Sequence, residues 1–437
     1  MMKRNWERKL LVLGLLVILS STTLFTYSKA AFREEYLLPT PLPVDMMVEV
    51  SMFRRMSVRD FTNEAVTDDE LSTILWAACG YQSNGGRTIA GINNTYSGII
   101  YVLKEEAVYT YDPVNHSLVF FKDGDWRDIV GEQYQAPIQL GLCYDTNQAD
   151  AQFGGTELGQ IGQNIQFMAN ALGLGTVVCG QAPPAIDPLG IPENQEGMIV
   201  MPLGHPVSAY HFLNRPLWFS TFPRIQTSDV SLSTALDQRT EGTSFTGMLS
   251  RDELSQFLWS TYGFSPYLDR SGQDQNSIKR HRTVPSAHGY YPLRIYAITD
   301  KGIFFYQPNL LVKFNRVPVD FIGLPILTFL VKKISGDYRS EVAEASVLPS
   351  ISTAPLILLP ILDLDRTRPP GGDDLSDDIY RCFWYYEAGA CAHNVLLEAT
   401  AWNLSATIVL PRNVSALQSI LQVDEDLIPL FLIPVGR

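Results

Sequence analysis

Two arginines with a serine between them stand near the start of the chain in a pattern that could bind a phosphate group. Arg55, Ser57 and Arg59 are spaced two residues apart, and two guanidinium groups can hold a phosphate dianion through charge-assisted hydrogen bonds. The same residues could instead be surface arginines at the start of a helix, with Ser57 as its N-cap. The pattern alone leaves both interpretations open.

A later segment combines a proline, a serine and a histidine. Pro285-Ser286-Ala287 could form a turn that presents a hydroxyl group and backbone donors to a ligand, or an ordinary surface turn. His288 could donate a proton, or be a loop histidine without a catalytic role. Cys179 could be a redox thiol, or a small buried residue. For His288 and Cys179 we favour the second interpretation.

The composition excludes several classes of protein. The chain has 437 residues, of which 46% are hydrophobic and 18% are charged, so it can bury sizeable cores and is not a disordered chain. Its length predicts two or three domains. Lys and Arg number 33 against 46 Asp and Glu, a net charge of −13. This acidic balance argues against nucleic acid or an anionic lipid surface as the main partner, and favours a small molecule or another protein.

The first 30 residues are expected to direct the chain out of the cytoplasm. A basic segment precedes an apolar run over 10–25, and Ser28-Lys29-Ala30 has the small residues of a cleavage site. The apolar run is short for a membrane span of about 20 residues, so a cleaved signal peptide is favoured over a retained membrane anchor. In both cases the rest of the chain is expected to be extracellular, or anchored on the outer face of the cytoplasmic membrane.

The five cysteines indicate neither a full disulfide framework nor a metal site. Their number is odd, and no two have the spacing of metal ligands. In an exported chain some pairs could be oxidised, but three of the five lie in apolar stretches. They are therefore interpreted mainly as small buried residues, and no metal is expected.

The chain repeats itself once. Residues 69–76 (DELSTILW) recur at 252–259 (DELSQFLW), and four further landmarks follow in the same order. These further pairs are 124–127 and 336–339, 136–138 and 354–356, 163–172 and 393–402, and 201–204 and 433–436. The repeat predicts two related domains over 47–212 and 230–437, joined by a linker over 213–229.

The second copy carries two insertions. The one near 309–335 is apolar, and the one near 366–374 is rich in proline, glycine and aspartate. The first could be a hydrophobic lid or docking element and the second a solvated loop. Both could equally be decorations that pack on the edge of their own domain.

Helical and strand patterns are mixed within each copy. The first copy predicts an amphipathic helix over 64–80, a hairpin of 97–103 and 107–111, a strand over 138–144, a buried helix over 159–172 ended by Gly173, and a strand over 176–179. The fold class is therefore α+β, with two or more layers, present twice.

Taken together, these segments resemble the nitroreductase family of flavin (FMN) proteins, most closely its azoline/thiazole dehydrogenase branch. The resemblance is carried by 55–61, by 282–289 followed by 291–293, and by 172–176, and it extends over 47–437. In that family two subunits form an intertwined dimer with an FMN at each interface. The resemblance implies two tandem nitroreductase-like domains that form a pseudo-dimer within one chain, which would act as a monomer.

The resemblance also implies which residues contact FMN. The family's Arg-x-Ser-x-Arg head binds the phosphate and ribityl end, and its Pro-Ser segment comes from the other subunit. A glycine-rich strand and turn lies beside the reactive nitrogen of the flavin, and a late basic residue reaches the phosphate. The implied contacts are Arg55, Ser57, Arg59, Cys179, Gly180, Arg215, Pro285, Ser286, Ala287 and Gly289.

The two copies retain different parts of this site. The first copy keeps the Arg-x-Ser-x-Arg head but has 87–93 in place of the Pro-Ser segment. The second keeps the Pro-Ser segment but has Glu241 and Thr243 where the head's serine and second arginine should stand. A carboxylate facing a phosphate is repulsive. Because the family's site takes one part from each subunit, the retained parts belong to one site, and one FMN per chain is expected.

The expected function is an FMN-dependent oxidoreductase that acts on a small-molecule or peptide-like substrate. The azoline dehydrogenases also carry a Lys-Tyr pair just before the long helix. Residues 155–160 contain neither of these residues, so oxidation of a heterocycle is not specifically predicted. The alternative is a catalytically degenerate, exported binding or scaffold protein that has lost flavin and contacts a partner through the apolar residues 321–330. The colour of the purified protein distinguishes the two hypotheses.

Overall fold

The computed structural model describes residues 35–92, 95–131, 133–180, 186–213, 221–269, 281–308 and 329–437. The expected signal peptide or anchor, Arg215 and most of the apolar insertion lie outside these residues. No helix within the described ranges is long and apolar enough to cross a membrane.

The first half is built on one antiparallel sheet. Its described strands are β1 (Glu35–Leu37), β2 (Gly98–Leu103), β3 (Ala107–Asp112), β4 (Ser117–Asp123), β5 (Ile138–Asp145), β6 (Gly175–Thr176), β7 (Cys179–Gly180) and β8 (Gln195–Gly204). They lie in the order β1-β4-β3-β2-β5-β8-β6, and β7 also pairs with β8. The helices are α1 (Val48–Arg54), α2 (Asp68–Cys79), α3 (Arg127–Val130) and α4 (Ala151–Ala171).

The second half repeats this plan. A short ribbon of β9 (Phe212–Leu213) and β10 (Leu268–Asp269) connects it to the first half. Its own strands are β11 (Leu293–Thr299), β12 (Gly302–Gln307), β13 (Phe329–Ser335), β14 (Leu356–Asp363), β15 (Ser405–Ala406), β16 (Leu427–Pro429) and β17 (Ile433–Gly436), in the order β13-β12-β11-β14-β17-β15 with β16 on β14. Its helices are α5 (Leu232–Gln238), α6 (Arg251–Tyr262), α7 (Arg339–Glu344), α8 (Arg381–Ala401) and α9 (Val414–Leu421). The predicted α+β class is confirmed.

The two copies begin α2 and α6 with the same capping device. Thr67 accepts a hydrogen bond from the Glu70 backbone, and the Glu70 carboxylate accepts one from the Thr67 backbone at 2.8 Å. Ser250 and Glu253 form the same reciprocal pair. Such a capping box satisfies two of the free backbone donors at a helix start. It explains why the helix predicted over 64–80 begins at Asp68.

The helix predicted over 159–172 is longer than expected at its start. It is α4, which begins at Ala151 because the Asp150 side chain caps it by accepting from the Phe153 backbone at 2.9 Å. Glycines at 154 and 155 weaken the helical signal in its first turns. At the other end Gly173 has a φ of +80°, as a helix-terminating residue requires. The strand predicted over 176–179 is divided between β6 and β7.

Helices α4 and α8 cross at the centre of the molecule. At Gly159 a Cβ atom would overlap the Tyr386 carbonyl and lie 2.9 Å from the Ala390 nitrogen. At Gly389 a Cβ atom would overlap the Thr156 carbonyl, with the Thr156 Cα at 2.9 Å. Gly159 and Gly389 are matched positions of the two copies. Their lack of side chains lets the two backbones touch, and the crossing point lies on the pseudo-twofold axis.

Matched amide side chains connect each long helix to an earlier helix of its own half, α4 to α2 and α8 to α6. The Asn164 side chain donates to the Ala77 carbonyl at 2.8 Å, and the matched Asn394 donates to the Ser260 carbonyl at 2.9 Å. One continuous hydrophobic core contains residues of both halves. The two halves are therefore packed together like the subunits of a dimer.

All five cysteines are buried, and none forms a disulfide bond. This agrees with their interpretation as small core residues.

Candidate functional site

A cavity of about 270 Å³ lies where the two halves meet. The first half supplies Ser57, Arg59, Gln133, Tyr134, Val177, Val178, Cys179, Gly180 and Ile199, and the second half supplies Pro285, Ser286, Ala287, His288, Gly289, Phe383 and Tyr386. Eight of the ten site residues expected from the sequence are in this lining. Arg55 is not, and Arg215 lies outside the described residues.

The residues after α1 reach the cavity in an extended conformation. The Val58 backbone donates to the Thr176 carbonyl at 2.9 Å, and a Cβ at Gly175 would lie 2.6 Å from the Val58 side chain. Alternate side chains of an extended segment point to opposite sides. Because Val58 faces the protein interior, Ser57 and Arg59 face the cavity. Arg59 is exposed, and it forms no ion pair among the residues described.

Arg55 holds the two halves together and does not line the cavity. It is buried, its Nε donates to the Arg282 carbonyl at 2.8 Å, and its Nη1 donates to the Gln166 side chain at 3.2 Å. Burial lowers the pKa of its guanidinium group. Arg55 is the first arginine of the Arg-x-Ser-x-Arg motif, and Arg282, one of its partners, begins the segment that carries Pro285. Arg55 therefore positions the second half's contribution to the cavity.

The second copy contains the reciprocal clamp. Arg239, at the position matched to Arg55, donates to the Arg87 carbonyl at 2.9 Å and to the Ile89 carbonyl at 2.6 Å. The head arginine of each copy thus binds the backbone of the other copy. This contact is retained on both sides although only one head keeps its serine and second arginine.

Replacing Arg55 with alanine is expected to lower the apparent free energy of unfolding by about 2 kcal/mol, because buried acceptors would lose their donor. Arg239→Ala should have a similar effect, since the matched clamp is lost. Arg59→Ala should leave stability unchanged, because that side chain is exposed. Urea denaturation followed by circular dichroism measures all three. Wild-type stability of Arg55→Ala would contradict the clamping role.

The Pro-Ser segment is held in place by Arg282, whose guanidinium group stacks on two tyrosine rings. The Arg282 guanidinium lies 4.0 Å from the Tyr291 ring centre and 4.8 Å from that of Tyr262, distances typical of cation–π contact. The Ser286 hydroxyl accepts a hydrogen bond from the Tyr291 backbone at 2.9 Å. The following turn, Ala287–Gly289, contains two residues of positive φ and borders the cavity. Ser286 is therefore held with its hydroxyl at the cavity wall.

The loop near 366–374 contacts His288, which lines the cavity. Asp373 Oδ2 lies 3.3 Å from His288 Nδ1, and the Asp373 carbonyl accepts a hydrogen bond from the Tyr290 hydroxyl at 3.1 Å. His288 has a φ of +51°, a backbone conformation that is uncommon for a residue with a side chain. The loop is largely exposed, as expected of a solvated insertion. Its contact with His288 gives that histidine a partner that the sequence did not reveal.

The thiol of Cys179 is not poised for redox chemistry. Cys179 is buried, and burial raises the pKa of its thiol to about 12 although the Arg59 charge opposes this. The reactive form of cysteine is the thiolate. At neutral pH the side chain is a neutral thiol, so β7 contributes backbone groups and shape to the cavity. Gly180 lies under Phe383, whose ring would be 2.5 Å from a Cβ at that position.

Tyr386 brings an unsatisfied hydroxyl to the cavity. The residue is 3% exposed, and its hydroxyl has no hydrogen-bond partner among the described residues. It lies against Gly162 of α4, where a Cβ would clash with it. A buried hydroxyl without a partner is uncommon, and one that lines a cavity is suited to a polar ligand.

The corresponding place on the other side of the pseudo-twofold axis carries an exposed carboxylate of the chain itself. The Glu241 carboxylate accepts hydrogen bonds from the Gly91 backbone at 3.3 Å and from the Thr407 hydroxyl at 3.5 Å. It also lies 3.7 Å from the Arg239 guanidinium. Glu241 stands at the position of Ser57, and Gly91 at that of Ser286. A carboxylate of the chain itself thus stands in the region matched to the cavity.

Several lining residues were missed from the sequence. Gln133, Tyr134, Phe383 and Tyr386 line the cavity but belong to no motif that we recognised. One signal was available for Tyr386. When α8 is aligned with α4, Tyr386 corresponds to Thr156. The second copy therefore has an aromatic residue where the first has a small one.

Comparison with protein families identifies the chain. A sequence model described as the nitroreductase family matches residues 52–205 and 246–437. These two regions contain the strands of the two sheets, one sheet in each half, except β1. The chain belongs to the nitroreductase family, and the predicted tandem pair of its domains is confirmed.

Individual relatives agree with this assignment. A protein of Methanocaldococcus jannaschii whose name assigns it to the nitroreductases is 32% identical over 161 residues, which are 31% of this chain and 79% of that protein. A crystal structure described as a nitroreductase from Anabaena variabilis is 13% identical and covers 91% of this chain and 94% of its own, with a TM-score of 0.64. It therefore shares the fold of both halves. A nitroreductase from Desulfovibrio desulfuricans in complex with FMN is 21% identical, covers 41% of this chain and 94% of its own, and has a TM-score of 0.30.

Proposed function

We propose that this protein is an FMN-dependent oxidoreductase with one flavin site, in the cavity between its two halves, and that it acts on a small-molecule or peptide-like substrate. Membership of the nitroreductase family supports the class of reaction. The observation that carries the proposal is the composition of the cavity. Ser57 and Arg59 of one copy and the Pro-Ser segment of the other line the same space.

The lining residues fit FMN in their chemistry. Arg59 offers a guanidinium group for a phosphate, and Ser57 offers a hydroxyl beside it. The unpartnered Tyr386 hydroxyl is an available polar group inside the cavity. Phe383 and the short strand β7 add apolar and backbone surface that suits a flat ring. A single cavity thus contains the groups that a phosphorylated aromatic ligand requires.

FMN, when bound, would supply hydride transfer to or from the substrate. This chain's residues would bind and orient it. Ser57 and Arg59 would hold the phosphate and ribityl end, and the Ser286 hydroxyl with the backbone of 287–289 would face the polar edge of the ring. The backbone of Cys179 and Gly180 would lie beside its reactive nitrogen. Phe383 would cover Gly180 and help exclude water.

The second copy's position that matches Ser57 supports one FMN site per chain instead of two. Glu241 places a hydrogen-bonded carboxylate where the first copy has Ser57. Thr243 replaces the second arginine there. A phosphate brought to this position would meet a negative charge without the cation that the cavity provides. We therefore expect one FMN per chain.

Replacing Arg59 with alanine is expected to weaken FMN binding by about 10- to 100-fold, the effect of losing a hydrogen bond to a charged group. The matched control is Thr243→Ala, which changes the same position of the other copy and should bind like the wild type. The measurement is titration of purified full-length protein with FMN, followed by the visible absorption spectrum. The wild type should saturate at about one FMN per chain.

Other results would contradict the proposal in distinct ways. A stoichiometry of about two FMN per chain would contradict the assignment of Glu241. Equal weakening of FMN binding by Arg59→Ala and Thr243→Ala would show that these two positions do not differ in their contact with FMN. A colourless protein that takes up no FMN would overturn the oxidoreductase hypothesis and favour a degenerate binding or scaffold protein.

A further inference from the structure

A carboxyl group is buried directly behind the cavity. Glu387 lies on α8, next to the cavity-lining Tyr386, and is 1% exposed. Its Oε1 accepts a hydrogen bond from the Tyr262 hydroxyl. Its Oε2 has no hydrogen-bond partner of good geometry within the described ranges. A buried carboxyl group with an unsatisfied oxygen is costly for the fold and invites a functional explanation.

The matched carboxylate of the first copy is satisfied in a different way. Glu157 of α4 accepts hydrogen bonds from the Ser97 backbone at 2.8 Å, the Ser97 hydroxyl at 2.8 Å and the Gly98 backbone at 2.9 Å. Pro292 stands at the position of Ser97 in the second copy. Proline has neither a backbone N–H nor a hydroxyl group to donate. Glu387, in the half that contributes the Pro-Ser segment, therefore lacks the Ser97-type donors that Glu157 has.

Ser286 connects Glu387 to the cavity. Its hydroxyl lines the cavity and accepts a hydrogen bond from the Tyr291 backbone. The Tyr291 ring centre lies 5.9 Å from that of Tyr262, which donates to Glu387. Ser286 also lowers the pKa of the Glu387 carboxyl group. A serine hydroxyl has two acceptor lone pairs and one proton to donate. Ser286 can therefore donate either to Glu387 or into the cavity, but not to both.

Both charge states of Glu387 are accessible near neutral pH. Burial raises the pKa of Glu387 to about 7, while Ser286, Tyr262 and Arg282 act in the opposite direction. The titratable and charged groups that face it are Tyr262 from α6, Arg282 from the segment before Pro285, and Cys391 from α8. Arg282 remains fixed by its stacking on Tyr262. The carboxyl group can therefore change its protonation without losing its packing.

We propose that Glu387 is a positioning residue that sets the direction of the Ser286 hydroxyl and so couples FMN binding to the uptake of a proton. This inference rests on the proposed function. When Glu387 is ionised, Ser286 donates to it and presents only a lone pair to the cavity. When Glu387 carries a proton, it donates to Ser286 Oγ, and the serine proton turns into the cavity. The oxygen-bearing edge of the flavin ring needs such a donor, so FMN binds the protonated form better.

The test is an FMN titration of the full-length protein at several values between about pH 6 and pH 9. The wild type should bind more weakly as the pH rises above the pKa of Glu387, approaching about tenfold per pH unit. Glu387→Gln should keep the low-pH affinity throughout, because its amide donates to Ser286 at every pH. The matched control is Glu157→Gln, which should keep the wild-type pH dependence.

A second measurement counts the proton directly. Titration calorimetry with FMN in buffers of different ionisation enthalpy should show proton uptake near pH 7 in the wild type and none in Glu387→Gln. Ser286→Ala, which leaves the carboxyl group in place, should also lose the uptake. If Glu387→Gln does not fold, the Ser286→Ala result decides.

The possible failures are distinguishable. Tight FMN binding with the same pH dependence in the wild type and Glu387→Gln overturns this inference and leaves the proposed function intact. Proton uptake that persists in Ser286→Ala overturns it as well. Absence of FMN binding by the wild type at every pH overturns both the proposed function and this inference.

Discussion

Replacing Gly389 with alanine is expected to lower the apparent free energy of unfolding by about 3 kcal/mol or more. In an ordinary helix the same change would stabilise the protein by about 1 kcal/mol, because alanine is the better helix former. Here the new Cβ would overlap the Thr156 carbonyl of α4 and lie 2.7 Å from its carbon. These are backbone atoms, so the neighbour cannot move aside by changing a rotamer. The sign of the effect therefore reports whether the two helices touch.

The matched position provides a second test of this prediction. Gly159→Ala places a Cβ against the Tyr386 carbonyl and should destabilise the protein to a similar degree. The measurements are the urea midpoint and the thermal midpoint of both variants. Unchanged or increased stability in either variant would mean that the helices do not cross at these glycines. The packing of the two halves would then have to be different.

The repeat and the binary pattern made much of the fold predictable. The paired landmarks identified two copies, and local apolar periodicity identified α2, β2, β3, β5 and most of α4. Element boundaries depended on features that are weak in a sequence. Glycines in α4 resemble helix breakers, yet Gly159 is required because another backbone passes over it. Only the position of α8 explains this choice, and α8 is more than 200 residues away in the sequence.

The candidate site was predictable where a motif carries it and not where packing creates it. Ser57, Arg59 and the Pro-Ser segment were identified from their residue types. Arg55 belongs to the same motif, but it is directed at the backbone of the other half. The contact of His288 with Asp373 arises from two loops that meet only in the folded chain. Such partners cannot be inferred from spacing.

The two copies differ in ways that become informative once the structure aligns them. Glu241 stands at the position of Ser57, and its carboxylate accepts a hydrogen bond from the Gly91 backbone of the first copy, at the position matched to Ser286. Pro292 stands at the position of Ser97, so Glu387 lacks the donors that Glu157 has. The side with the cavity keeps the unsatisfied Tyr386 hydroxyl and Glu387 Oε2 among the described residues. A buried polar group without a partner is uncommon, and where it lines a cavity it is available to a ligand.

Replacing His393 with glutamine is expected to make the protein more resistant to acid. His393 is fully buried on α8, and its Nε2 lies 2.6 Å from the Asn164 side-chain oxygen. Burial, with a smaller contribution from the Arg239 charge, lowers the pKa of His393 to about 3. A histidine in the unfolded chain titrates near pH 6.5. Between about pH 6.5 and pH 3 the unfolded state therefore binds a proton that the folded state does not.

The sign and size of the effect follow from this difference. Stability falls as the pH falls through that window, by about 1.4 kcal/mol per pH unit and by up to about 5 kcal/mol in total. Glutamine is the residue at the matched position 163 of the first copy, so the substitution introduces a side chain that the fold already accommodates there. It does not titrate, and this loss of stability should disappear.

The comparison must be made between the two proteins at each pH. Burial raises the pKa values of Glu387 and Glu398. Because the folded state then holds protons that the unfolded state has released, the contribution of these groups to stability falls as the pH rises. That opposite slope is common to the wild type and His393→Gln, so it cancels in their difference. Urea midpoints measured between about pH 4 and pH 7 should converge near neutrality and separate in acid. Parallel curves would show that His393 binds its proton in the folded state, which would require a second acceptor beside its Nδ1.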